Sequence, residues 1–442
     1  MTRHLTKLVL LGLLTLALKH SLGQSDGENV LIRFMRTDEG EVPMGVVLAG
    51  GALYGTAEMG GTGTCTFPGQ GCGEVYEVTL ARDASGAAVA QKRLIYDFQG
   101  GADAAIPLAP LVLGPDGNLY GTTADGGGTA CGFGCGTVFE LSTTGGHWAE
   151  SVLYSFSGPD GNTPESPVTF DSAGNIYGTT FNGGLNDCVR DGPCGVVYEL
   201  QRTDSGWTEI VLHEFDYKDG QQPVGGVVMD GSGNLYGTTP WGGSPRLDAY
   251  EPAGTIYELS PKQTGWLFQV LYRFPGGAGQ SFAGLKLDAA GNLYGTTTVG
   301  GIYGAGSVFE LQRPTKSGDP WTFVNIFSFE GPNGSYPVSG VVFDEAGNLY
   351  GAAGGGGTGQ NCDGPCGIVY ELTPSDSGWA ETILHNFQGD TDGAYANSTP
   401  VLDPMGNLYG TTAYGGDPNC VPFPEYSGCG IMYRINRGSP KL

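Results

Sequence analysis

Short runs of alternating or continuous apolar residues, each closed by a glycine-rich or polar turn, follow one another along almost the whole chain. Beyond residue 23 no segment keeps a helical period. Residues 338–372 (VSGVVFDEAGNLYGAAGGGGTGQNCDGPCGIVYEL) show the unit well. VSGVVFD predicts a first strand, a. Glu345, Ala346, Gly347 and Asn348 predict a turn, because glycine and asparagine accept backbone conformations that other residues resist. LYGAA predicts strand b and GIVYELT strand c, and after a second polar loop WAETILHNF predicts strand d.

The unit recurs. Its G-N-L-Y-G-T-T core is centred on Tyr54, Tyr120, Tyr177, Tyr236, Tyr294, Tyr350 and Tyr409, at intervals of 56 to 66 residues. Four strands per repeat at that spacing make a propeller blade. Strand d ends on a phenylalanine six times, at Phe98, Phe156, Phe215, Phe274, Phe329 and Phe387. The seventh repeat stops after strand c, at residues 430–436, and the missing strand stands near the other end of the chain as Val30-Leu31-Ile32-Arg33-Phe34. The expected fold is therefore all-β: a seven-bladed β-propeller of four-stranded antiparallel blades, closed by an N-terminal strand completing the last blade. The blades are predicted at about 42–98, 107–156, 166–215, 224–274, 282–329, 338–387, and 399–436 plus 28–34, in a single domain spanning 24–442. Closure of this kind leaves no open sheet edge.

Glycine, at 80 of 442 residues, marks tight turns here, since it recurs at fixed offsets beside Tyr, Phe and Val. Residues 1–23 read as a signal peptide. Arg3, His4 and Lys7 precede an apolar run at 8–18, too short to span a bilayer, and Ser21-Leu22-Gly23 permits cleavage before Gln24. No later stretch predicts a membrane span. A secreted, extracellular or periplasmic protein is expected, and a monomer. The net charge of −25 becomes more negative once Arg3, Lys7 and Lys19 are removed. Such a chain repels phosphate backbones, which excludes nucleic acid as a partner.

The ten cysteines form five close pairs, all between strands b and c: Cys65-Cys72, Cys131-Cys135, Cys188-Cys194, Cys362-Cys366 and Cys420-Cys429. The repeats around Tyr236 and Tyr294 lack both members. Pairs present or absent together predict one disulfide per blade. Zinc is the alternative, but it needs four ligands in one place and each blade offers two.

In an up-and-down blade the b–c and d–a loops share one face. They are long and varied, whereas the a–b turns are short and uniform, and variable loops on a rigid scaffold are where binding resides. Trp241, Tyr303, Tyr414, Tyr426, Phe181 and Phe133 are the aromatic candidates on that face, with Asp160, Asp219, Asp390 and Asp392 as acidic ones. No cofactor is expected. Calcium is the one cation suggested, by Asp390-Thr391-Asp392-Gly393, which lacks the downstream glutamate of a calcium loop. Three other repeated features are expected to be structural. Trp148, Trp207, Trp266, Trp321 and Trp379 stand eight residues before the strand-d Phe, as packing anchors and not a sugar ladder. Glu77, Glu140, Glu199, Glu258, Glu310 and Glu371 hold one strand-c position, and Asp171, Asp230, Asp288, Asp344 and Asp403 suit Asx turns. Beyond residue 23 the only histidines are His147, His213 and His385, and His213 and His385 take a strand-d position that is tyrosine elsewhere. No nucleophile elbow, zinc-protease helix or phosphate-binding loop is present.

Taken together, F-x-G-x-D-G-x-x-P, V-x-D-x-x-G-N-L-Y-G-T-T-x-x-G-G and G-x-V-F-E-L resemble the GloVer-type tandem repeat of bacterial secreted proteins, over roughly residues 28–436. The core is intact in five copies, and the first (GALYGTA) and sixth (GNLYGAA) depart from it. The resemblance implies a propeller and export but no activity. The varied C-terminal anchors of that family find no counterpart in residues 436–442. More distantly, D-x-x-G-N-L-Y is similar to turns of NHL-type and gluconolactonase-type propellers, whose catalytic residues have no match here. The function expected is a secreted, non-catalytic binding or interaction propeller for polysaccharide or an extracellular protein. The alternatives are a metal-dependent hydrolase or lyase with an axial site and a structural envelope or matrix component. Strand a weakens the enzyme alternative, since Lys286 is its only charged residue.

Overall fold

The computed structural model describes residues 28–437 except 36–39, 66–69, 83–87, 189–191, 245–253, 277–278, 317, 363–365, 377 and 421–426. The predicted signal peptide lies outside the described residues. Among them the chain is all β apart from one 3-10 turn at Asp390–Asp392, and no helix is long and apolar enough to cross a membrane.

Seven four-stranded antiparallel sheets follow the chain. Blade 3 is typical: strand a at Thr169–Phe170, b at Ile176–Thr180, c at Val196–Thr203 and d at Gly206–Glu214. In blade 7 the outer strand is Glu28–Arg33, paired antiparallel with Ile431–Ile435, so the two ends of the chain close the ring as the sequence predicts. Strand a proves shorter than its apolar run, with only two or three residues in blades 2 to 7. Near the axis hydroxyl groups take over its bonding. Thr56 Oγ1 donates to the Ala109 carbonyl of the next blade, Thr122 to that of Ser166, and Thr296 to that of Ser339. The first threonine of the core is thus a blade-to-blade tie.

Between blades the core is aromatic. The strand-d phenylalanine of each blade packs on the strand-c aromatic of the next: Phe98 on Phe139, Phe156 on Tyr198, Phe215 on Tyr257, Phe274 on Phe309, Phe329 on Tyr370 and Phe387 on Tyr433. Phe34 on Tyr76, at 5.1 Å between centroids, completes the circle. The tip of each strand-c ring lies against the glycine of strand b in its own blade, where a Cβ at Gly178, Gly237 or Gly351 would collide with the tyrosine hydroxyl. The glycine of L-Y-G-T-T is therefore demanded by close approach. A bulge interrupts every c–d pairing of blades 1 to 6 beside this aromatic, for example at Val197/Tyr198, and adds local twist. The repeated tryptophans reach the preceding blade, as Trp148 does Tyr54 and Trp266 does Tyr177.

Candidate functional site

The two faces of the ring are built differently. On the a–b face the turns of blades 2 to 7 are each locked by an aspartate, while that of blade 1 is Gly50-Gly51. Asp171 Oδ1 accepts the Ala173 and Asn175 amides, while Oδ2 accepts Asn175 Nδ2 and the Tyr177 hydroxyl. Asp230, Asp344 and Asp403 repeat the pattern with Tyr236, Tyr350 and Tyr409, and these bonds hold their carboxyls below the usual aspartate range despite the burial that opposes it. The strand-c glutamates are tied nearby, Glu77 to Tyr54 and Arg93, Glu310 to Tyr294, and Glu371 to Tyr350 and Arg437. All five predicted disulfides are formed, on the opposite face.

On that opposite face one repeat position carries strain. Val42, Ile106, Thr163, Gln222, Tyr336 and Tyr395 occupy the same place in the d–a loop, and each has a left-handed φ between 54° and 59°. Each donates its amide to the carbonyl just before strand c of the preceding blade, for instance Thr163 to Cys135 and Tyr395 to Cys366. A side chain held there costs on the order of 1 kcal/mol that glycine would avoid. This chain places glycine at most of its other left-handed positions. Val42 and Ile106 are buried, which accounts for them as core. Tyr336 is 40% exposed and is not core.

Tyr336 and Tyr395 instead line a cleft of about 270 Å³ above blades 6 and 7. Tyr395 stands between the other two tyrosines of its wall, 6.3 Å from Tyr336 and 5.9 Å from Tyr414 between centroids, with interplanar angles of 46° and 50°. Gly354 lets the Tyr395 ring lie close over the strand-b exit, where a Cβ would meet the ring at 3.0 Å. Ser335, Asn361, Asp390 and Ser427 supply polar groups, and Cys362 of the Cys362–Cys366 disulfide fixes the b–c loop on one side. Asp390 is exposed and sits in the 3-10 turn.

Two of the sequence-predicted residues, Tyr414 and Asp390, come together in this cleft. Phe181 and Trp241 meet elsewhere on the face, 6.1 Å apart, with Phe282 on the other side of Trp241 at 5.1 Å. Phe133 and Tyr303 are 59% and 58% exposed on separate loops, Tyr303 pairing with Glu330. Tyr426 lies outside the described residues. Asp160, Asp219 and Asp392 are engaged in holding their own loops: Asp160 accepts from Tyr154 at 2.6 Å, Asp219 pairs with His213 at 2.8 Å, and Asp392 accepts the Gln388 amide and pairs with His385. Asp390-Thr391-Asp392 thus has one carboxylate turned to its own loop and one exposed. Sequence reasoning missed Tyr336 and Tyr395. The signal was there: both fill the place held by Val42, Ile106, Thr163 and Gln222 ahead of proline in other copies, and both put an aromatic ring in it.

The family model of the Gloeobacter/Verrucomicrobia repeat matches residues 21–190 and again 189–423. The chain belongs to this repeat family. No curated protein matches it. Among solved structures it is similar to two candidate 6-phosphogluconolactonases. One is from Bacteroides uniformis, with 12% identity, 83% of this chain and 89% of that chain covered, and a TM-score of 0.46. The other is from Bacteroides fragilis, with 12% identity, 84% and 87% covered, and a TM-score of 0.48. A hypothetical selenium-binding protein from Sulfolobus tokodaii shares 10% identity over 88% of this chain and 79% of its own, with a TM-score of 0.45. No residue role is carried over from them.

This Gloeobacter/Verrucomicrobia repeat protein breaks its own symmetry at one further place. Glu58 stands four residues after Tyr54, where the other copies have Ala124, Phe181, Pro240, Thr298, Gly354 and Ala413. Glu165 follows Pro164 at the entry to blade 3. Both adjoin the inner segments of blade 2, since Thr56 bonds Ala109 and Thr122 bonds Ser166. Burial pushes each carboxyl up to about 7, and the Glu58 charge adds to the rise at Glu165. The predicted scarcity of charge on strand a therefore does not extend to the segments flanking it.

Proposed function

We propose that this protein is an exported, non-catalytic binding propeller whose ligand is a glycan held in the cleft of Tyr336, Tyr395 and Tyr414. One observation carries the reading: three tyrosines from two adjacent repeats bracket a cavity rimmed by a carboxylate, an amide and two hydroxyls. Aromatic faces beside fixed hydrogen-bonding groups match the two-sided chemistry of a sugar ring, which has an apolar C–H face and a polar edge. The backbone strain at Tyr336 and Tyr395 supports it, because packing does not account for the exposed Tyr336. Export is supported by five disulfides, which persist in oxidising compartments. Isothermal titration of the oxidised protein against a panel of bacterial and plant polysaccharides tests the reading. A binder should lose at least tenfold in affinity with Tyr395→Ala while the melting temperature stays within a few degrees. Binding that ignores this substitution overturns it.

Glu58 and Glu165 favour a second reading, general acid–base hydrolysis at the axial opening. A desolvated pair of carboxyls poised near neutrality suits proton transfer. Turnover of a glycoside or ester panel that disappears in Glu165→Gln but survives in Tyr395→Ala would replace the first reading with this one.

A further inference from the structure

Resting on the reading of the tyrosine cleft as a glycan site, we infer that it takes a single terminal or branching pyranose, neutral or amino-bearing, and not an internal run of an acidic polysaccharide. Three observations lead there. The cleft encloses about 270 Å³. That is at the small end of ligand pockets, which run about 300–1,000 Å³, and it suits one sugar ring better than a row of them. The wall is also curved. Successive tyrosines tilt by 46° and 50° and so do not share a plane, whereas a track for successive sugars needs faces in one plane. The disulfide-bearing loop at Asn361 and Cys362 and the d–a loop at Gly389 and Asp390 lie among the same walls.

Charge sets the second half. Among the described residues lining the cleft none is lysine, arginine or histidine, and the one acidic group among them, Asp390, is exposed. Arg33 reaches the same loop but donates to the Thr391 carbonyl at 3.2 Å and is not part of the lining. A uronate, sulfate or phosphate would enter without a counter-charge and would face Asp390 in a chain of net charge −25. Hydroxyls and ammonium groups face the opposite balance.

The test uses the whole oxidised chain at low salt. Calorimetric titration is run with methyl glycosides of neutral hexoses, of glucosamine and of glucuronic acid. Neutral oligosaccharides of one to four residues, sharing the terminal sugar that binds, form the second series. Affinity should rise less than threefold from the disaccharide to the tetrasaccharide. The glucuronide should bind at least tenfold more weakly than its neutral counterpart. Asp390→Asn should recover at least threefold of that deficit, since asparagine tolerates the left-handed φ of 47° at this position. A tenfold gain with each added residue, or a glucuronide that binds as tightly as the neutral sugar, overturns this inference while leaving the site in place, provided Tyr395→Ala still abolishes binding. Sugar binding untouched by Tyr395→Ala and by Tyr336→Ala overturns the site itself. Absence of binding across both series overturns the two together.

Discussion

The strand-c aromatics show how far one atom can be followed. Tyr76, Tyr198, Tyr257 and Tyr370 are fully buried, and their hydroxyls find no hydrogen-bond partner. In blades 2 and 5 phenylalanine, Phe139 or Phe309, fills the same slot. An orphaned buried hydroxyl is a cost, so Tyr257→Phe should stabilise the protein by roughly 1 kcal/mol in denaturant unfolding; a loss of that size would mean that the hydroxyl has a partner. Five carboxyls make a second case. Burial raises Glu58, Glu150, Glu165, Glu209 and Glu381 to about 7 from 4.5, and one oxygen each of Glu150, Glu209 and Glu381 is buried without a partner. The folded state therefore holds protons that the unfolded chain has released. Their stabilising effect is complete below pH 4.5 and lost as pH rises through 7. The lowered turn aspartates act oppositely, contributing above their ordinary value of 3.8 and losing that contribution on further acidification. The melting temperature should accordingly peak in mild acid and fall between pH 5 and pH 8. Glu150→Gln combined with Glu209→Gln and Glu381→Gln should flatten that slope. A melting temperature that climbs toward pH 8 would contradict the assignment.

At the level of the element, the a–b turn is the most tightly specified piece of the repeat. Asp288 accepts from the Ala290 and Asn292 amides and from Asn292 Nδ2, all at 2.8 Å. Asp288→Ala leaves three donors without their charged acceptor and should cost about 2 kcal/mol, measured against the same change at the solvent-facing Asp319. The disulfides close loops with separations of only 4 to 9 residues. Each contributes about 2 kcal/mol by loop closure. Strands, turns, disulfides and the ring closure were legible in the sequence because each repeats, and repetition turns a weak local pattern into a register. The cleft was only half legible. Tyr414 and Asp390 lie in loops that length and variety single out. Tyr336 and Tyr395 lie in d–a loops of the same kind, Tyr395 in the very loop that holds Asp390, but their role depends on which blades meet and on a backbone sign that composition does not encode. The aspartates Asp160, Asp219 and Asp392 failed to stand out as loop anchors for a related reason. Their partners, Tyr154, His213 and His385, belong to strand d, and only the fold brings a strand end back onto its own loop.

On the scale of the whole molecule, seven similar interfaces run round the ring and none is spare. The seventh depends on Glu28–Arg33 and on Phe34, which seats against Tyr76 of blade 1 while its strand pairs with Ile431–Ile435. Deleting residues 24–34 removes the outer strand of blade 7 and bares an edge beside a buried aromatic. That variant should lose more than 10 °C of melting temperature and elute as oligomers in size-exclusion chromatography with light scattering. A monomer of unchanged stability would show that the ring does not need this strand.

That pairing also sets a timetable. The strand at Glu28–Arg33 precedes every other described strand of the ring and its partner at Ile431–Ile435 follows them all, so it must wait for the whole ring. Bringing such distant segments together is the slowest kind of contact to form. Blades 1 to 6 can each assemble from neighbouring residues as they emerge, but the circle is sealed only once Ile431–Ile435 has emerged. Until then Phe34 and Tyr76 are without the strand that covers them, and a chain interrupted at any point upstream stays open and adhesive.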